Sequence, residues 1–100
     1  MTIGILVNTD RHRDHAVGIC RAAVAKGNRV LVFVMDSGVR LLEDAAFTGM
    51  AGTEGVSIGF CAHSSRRFGI PVERIPEGIA AGSQMDNAAM QHAADRVLVL

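Results

Sequence analysis

Val30-Leu-Val-Phe-Val34 sets five apolar residues side by side with no polar letter alternating between them. A strand with one wet face alternates apolar and polar residues. An unbroken apolar run is therefore a strand buried on both faces, the arrangement of a parallel sheet covered by helices. The residues outward from it repeat the pattern. Ile3-Gly-Ile-Leu-Val7 is a similar run, closed by the turn formers Asn8-Thr9-Asp10. Between the two runs Ala16, Ile19, Cys20, Ala23 and Val24 recur at helical spacing, which predicts a helix over 11–26 stopped by Gly27-Asn28. Downstream, Ser37 is expected to cap a short helix over 38–47, Gly49, Gly52 and Gly55 to mark a loop, and 56–60 to form a third strand. A short helix over 61–68 would end at Gly69. Residues 71–75 read as a short extended piece that Pro71 and Pro76 confine to an edge or to irregular structure. Ser83 caps a helix over 84–94, and 96–100 is a closing strand. Strands alternating with helix-length segments predict an α/β fold: a three-layer α/β/α sandwich with a mainly parallel sheet of about five strands, in one domain over 1–100.

Composition narrows the function classes. The 100 residues carry ten basic and ten acidic side chains, and 49% are hydrophobic. Zero net charge supplies no electrostatic footprint for nucleic acid or an anionic membrane. With four Phe, no Trp and no Tyr, stacking platforms for single-stranded bases are excluded as well. No apolar run approaches the roughly 20 residues that span a bilayer, and the amino terminus lacks the pattern of a secretory signal. The expectations that follow are a cytoplasmic protein, no membrane partner, and two free thiols at Cys20 and Cys61.

In folds of this kind function sits at the carboxyl ends of the strands. Three segments qualify: 8–15, 36–38 and 61–67. Cys61 directly follows the third strand and opens a helical segment, where unpaired backbone N–H groups favour thiolate over thiol, and His63, Arg66 and Arg67 follow closely. The competing reading is a small buried hydrophobe. Cys20 shares the apolar stripe of the first helix and is expected to be structural. Asp36 and Ser37 read as a turn and a cap that could line the same crevice. Asp10, His12, Asp14 and His15 form an alternative constellation, with imidazoles at i and i+3 able to hold zinc or a related ion. The competing reading is a solvated first turn capped by Asp10. The glycines of 49–59 precede a strand and lead into no Gly-Lys-Ser/Thr, so they are no phosphate loop, and no nucleophile elbow is present.

Taken together, Val30-Leu-Val-Phe-Val-Met-Asp-Ser-Gly-Val39, Gly55-Val-Ser-Ile-Gly-Phe-Cys-Ala-His-Ser-Ser-Arg-Arg-Phe-Gly-Ile70, and Gly82-Ser-Gln84 leading to Ala94-Asp-Arg-Val-Leu-Val-Leu100 resemble the DsrE/DsrF-like family along essentially the whole chain. The resemblance implies the α/β/α fold, assembly as a homo-oligomer (trimer or hexamer), and a sulfur carrier holding a persulfide on Cys61. Sulfur-donor and sulfur-acceptor proteins would then be partners, and neither a metal nor an organic cofactor is needed. His63, Ser64, Arg66, Asp36 and Ser37 would support the persulfide. Some relatives carry a second cysteine just after the first. Here Ala62, His63 and Ser64 stand there, so no resolving thiol is at hand.

Overall fold

A computed structural model describes residues 1–100. The strands are β1 (Thr2–Val7), β2 (Arg29–Val34), β3 (Val56–Cys61), β4 (Ile79–Gly82) and β5 (Arg96–Val99). The helices are α1 (Arg13–Ala25), α2 (Ala45–Thr48), α3 (Ala62–Arg67) and α4 (Gln84–Ala93), with 3₁₀ helices at Asp36–Glu43, Gly49–Gly52 and Val72–Arg74. All neighbouring strands pair parallel, in the order β4-β3-β2-β1-β5. The sheet is thus a five-stranded parallel one between helical layers, as the apolar runs required.

Strand order decides which face each helix covers. From β1 to β4 the chain steps always in one direction across the sheet. Connections between parallel strands are right-handed, so these crossovers fall on one face. The step from β4 back across to β5 reverses direction and puts α4 on the other. The core is correspondingly lopsided. Ile5, Val32, Ile58 and Phe60 point to the first face and meet Ala16, Val17 and Cys20 of α1 together with Leu41, Leu42 and Phe47 in a 17-residue buried cluster. On the second face only Phe33, Cys61 and Met90 are buried, with Leu6, Leu31 and Met35 packed around them. Beside α4 an apolar groove of about 360 Å³ stays open over Leu31, Phe33 and Ala80.

Local signals held in part. α1 stops where expected, with Gly27 at φ 83° just beyond its last turn. Ser83 caps α4 with a full capping box, its hydroxyl accepting from Met85 N–H while Asp86 accepts from Ser83 N–H at 2.8 Å. Other expectations are corrected. Residues 71–75 contribute the 3₁₀ turn Val72–Arg74 and no strand; the fourth strand is Ile79–Gly82, which pairs Ile58 with Ile79 and Cys61 with Gly82. Ser37 caps nothing, because the 3₁₀ helix already begins at Asp36 after an extended Met35. The working cap of that region is Asp44, which accepts from Phe47 N–H at 3.1 Å and starts α2. Asp10 is not the cap of α1 either; His12 occupies that position without a side-chain bond.

Gly38 shows how tightly the end of β2 is folded against β1. A Cβ there would lie 2.5 Å from the carbonyl oxygen of Val7, a backbone atom that already accepts from Met35 N–H at 2.9 Å and cannot swing aside. Gly38→Ala is expected to cost about 1–3 kcal/mol by forced backbone displacement. In a domain of this size that lowers the thermal midpoint by about 4–8 °C for each kcal/mol. A midpoint equal to that of the unaltered protein in calorimetry would show that the contact relaxes freely.

Candidate functional site

Alternation along β3 sends Val56, Ile58 and Phe60 to the large core and Ser57, Gly59 and Cys61 to the α4 face. Cys61 is the last residue of β3 and the N-cap residue of α3, with extended backbone (φ −78°, ψ 114°). Its side chain packs with Phe33 and Met90, and the residue is only 4% exposed. It nevertheless borders a cleft of about 500 Å³ that opens between the carboxyl ends of β2, β3 and β4. Met35, Asp36, His63, Ser64, Arg66, Ser83 and Gln84 also belong to its wall.

Burial by itself pushes the Cys61 thiol up. Four donors more than offset it: the Ser64 hydroxyl, the Ser64 backbone N–H, the Gln84 amide and the His63 backbone N–H, which together hold the thiol below its ordinary value. α3 has only six residues, so an extended helix dipole contributes little. The orientation of Ser64 has a visible cause. Its Oγ accepts from Asp36 N–H at 2.9 Å, which leaves the hydroxyl hydrogen free to point at sulfur. Asp36 takes φ 48°, the one non-glycine residue in the left-handed region, a conformation Asp tolerates better than most. Ser65, fully buried, donates to Ile70 carbonyl oxygen at 3.1 Å and ties the end of α3 to the core.

Five residues expected at the site, Cys61, His63, Ser64, Arg66 and Asp36, line this one cleft; Ser37 does not. His63 contributes its backbone N–H, and its ring is exposed along with the Arg66 guanidinium, which enters no ion pair. Cys20 is the opposite case. It sits in the α1 core stripe at 1% exposure, and burial pushes its thiol up against a smaller pull from Arg21.

The metal alternative loses its geometry. His12 and His15 stack edge to face with ring centroids 5.8 Å apart, while Asp10 turns to Arg40 at 3.7 Å and Asp14 to Arg13 at 2.9 Å. No three His, Cys, Asp or Glu side chains in the chain converge as ligands would. Asn8, Thr9, His12 and His15 border a separate depression beside Val99 and Leu100.

Sequence reading missed Gln84 and Met35. Gln84 is the first residue of α4; its Nε2 lies 3.6 Å from Met35 Sδ, and it lines the same cleft as Cys61, whose thiol pKa its amide helps to lower. The signal was present in part, since Ser83 marks a helix start. Without β4, however, nothing placed that start at the carboxyl edge of the sheet next to Cys61.

The model of the DsrE/DsrF-like family matches residues 1–100. The chain belongs to that family. This DsrE-like chain is similar in structure to a protein of unknown function, MTH1491, from Methanobacterium thermoautotrophicum, with TM-score 0.73 and 19% sequence identity over 99% of this chain and 97% of that one. It is similar too to the ychN protein from E. coli, with TM-score 0.72 and 17% identity over 99% of this chain and 97% of the other. At these identities the likeness is one of fold. No curated protein matches the chain. Membership supports a sulfur-relay-type protein at the level of the family. No helix of this DsrE-like chain is long and apolar enough to cross a membrane.

Proposed function

We propose that the chain carries sulfur as a persulfide on Cys61 and passes it to a partner thiol. The reading rests on one observation: Cys61, 4% exposed at the end of β3, borders a cleft of about 500 Å³ in common with Ser64 and Gln84, polar neighbours that favour its thiolate. The Cys61 thiolate attacks the outer sulfur of a donor persulfide, R–S–SH. A new S–S bond forms at Cys61, the donor S–S bond breaks, and R–S⁻ leaves and takes up a proton from solvent. Cys61–S–SH then meets an acceptor thiolate, which attacks the outer sulfur and releases Cys61 as thiolate. No net oxidation occurs in the cycle, so no cofactor enters the balance. Ser64, Gln84 and the two N–H groups hold negative charge on Cys61 whenever it is the attacking or the leaving sulfur. With no second cysteine in the cleft, handover goes to another protein and not to an internal disulfide.

Association with further copies and with sulfur donors and acceptors belongs to the same proposal. Leu98 and Val99 of edge strand β5, 40% and 59% exposed, support a covered edge. The test is sulfur loading: wild-type protein incubated with a persulfide donor is expected to gain the mass of one sulfur atom. Absence of any gain overturns the reading.

The donor set gives a quantitative expectation for Ser64→Ala. Removing a donor to the thiolate raises the thiol pKa, so less thiolate is present at any pH below the midpoint. Alkylation near neutral pH is expected to slow about three- to tenfold, the worth of one such hydrogen bond, and to recover at pH well above the midpoint. A profile superimposed on that of the unaltered protein would remove the hydroxyl from the site.

A further inference from the structure

Gln84, Asn87 and Gln91 stand at spacings of three and four on one face of α4, and their amides run head to tail. Gln91 Nε2 donates to Asn87 Oδ1 at 3.0 Å, and Asn87 Nδ2 donates to Gln84 Oε1 at 3.1 Å. Gln84 Nε2 is thereby left for Met35 Sδ, 3.6 Å away, at the cleft that Met35, Gln84 and Cys61 line together. A primary amide has a donor end and an acceptor end of nearly the same shape, so packing alone does not choose which end faces a neighbour; its hydrogen-bond partners do. Turned over, Gln84 would set a carbonyl oxygen against the Met35 sulfur, on the wall of the cleft that Cys61 borders, and would oppose a thiolate there. Asn87 Nδ2, 3.9 Å from Met35 Sδ, makes the same choice from the other side, since a thioether only accepts. Neither Asn87 nor Gln91 lines the cleft.

We propose that Asn87, backed by Gln91, is a positioning residue that fixes the polarity of Gln84, so that an N–H and not a carbonyl oxygen faces the Cys61 sulfur. The proposal deepens the sulfur-carrier reading and rests on it for its biological sense, but its chemistry is measurable without sulfur transfer. The relay tunes Cys61 with no charged side chain, through oriented dipoles alone.

The test is the pH profile of Cys61 alkylation by iodoacetamide in the Cys20→Ser background, read in a double-mutant cycle. Gln84→Leu is expected to slow alkylation near neutral pH about three- to tenfold and to raise the midpoint. Asn87→Leu is expected to act in the same direction by about two- to fourfold. Added to Gln84→Leu, it is expected to change nothing more, because its effect passes through Gln84. Asn87→Ala, which favours the helix, repeats the measurement if leucine disturbs folding. An unmoved profile in folded Asn87→Ala protein overturns the proposal, as does an equal shift with and without Gln84. Loss of sulfur loading in the wild type would strike the carrier reading and leave this cycle intact.

Discussion

Cys61→Ser protein is expected to gain no sulfur from a persulfide donor, while wild-type and Cys20→Ser proteins each gain one atom per chain, read as mass by intact-protein spectrometry. The expected effect is complete loss. A serine hydroxyl is not ionised near neutral pH and lacks the polarizable sulfur that a neighbouring sulfane sulfur bonds to, so the surrounding donors have nothing to activate. The substitution is nearly isosteric and leaves a hydroxyl among polar partners from Ser64 and Gln84, so the fold is expected to persist and the loss to be chemical. Cys20 is the internal control, because burial without compensating donors keeps it a thiol inside the main core. Sulfur loading that survives Cys61→Ser would move the chemistry elsewhere in the chain.

Phe60→Ala is expected to be the most destabilising of the single substitutions considered. Phe60 is 1% exposed, lies on the interior strand β3 opposite Val34, and belongs to the 17-residue cluster. Truncating a fully buried phenylalanine costs about 3–5 kcal/mol, the transfer loss of the ring plus the cavity it leaves. A domain of this size has about 5–15 kcal/mol in all, so the variant stands near the edge of folding. Phe33, the penultimate residue of the neighbouring strand β2 but on the other face, offers the contrast. It is nearly as buried, yet its cluster holds three residues and borders the open groove beside α4. Collapse of the groove can partly refill the space, and Phe33→Ala is expected to cost about 2 kcal/mol less. Urea unfolding measures both, as a fall in midpoint at constant slope. Equal losses for the two phenylalanines would contradict the lopsided core.

Much of this architecture was legible in particular residues. The apolar runs at Ile3 and Val30 predicted parallel strands buried on both sides, with a third strand at Val56, and the pairing Ile3 to Val30 to Val56 follows in register. β4 was not legible because Ile79-Ala-Ala-Gly82 holds one bulky apolar residue and two alanines of low strand preference. Pairing with β3 makes it a strand. Ser37 misled because a good capping residue is a statement about local preference, whereas the close approach of Gly38 to Val7 sets where that helix begins. The Asp10-to-His15 letters suggested ligands, and the structure spends the two carboxylates on Arg40 and Arg13.

The sequence by itself determined the layers, the parallel sheet, the burial of Cys20 and the place of Cys61 at the carboxyl end of β3. Each of these follows from apolar runs, helical spacing and turn residues that lie close together along the chain. Only the tertiary structure decided which donors Cys61 meets. Strand alternation turns its sulfur toward the second face, and the reversed step from β4 to β5 brings α4 there, so that Gln84, with Asn87 behind it, shares a cleft with a thiol far from it in sequence. Contacts of that kind depend on the order in which strands assemble across the sheet, which no local stretch of residues encodes.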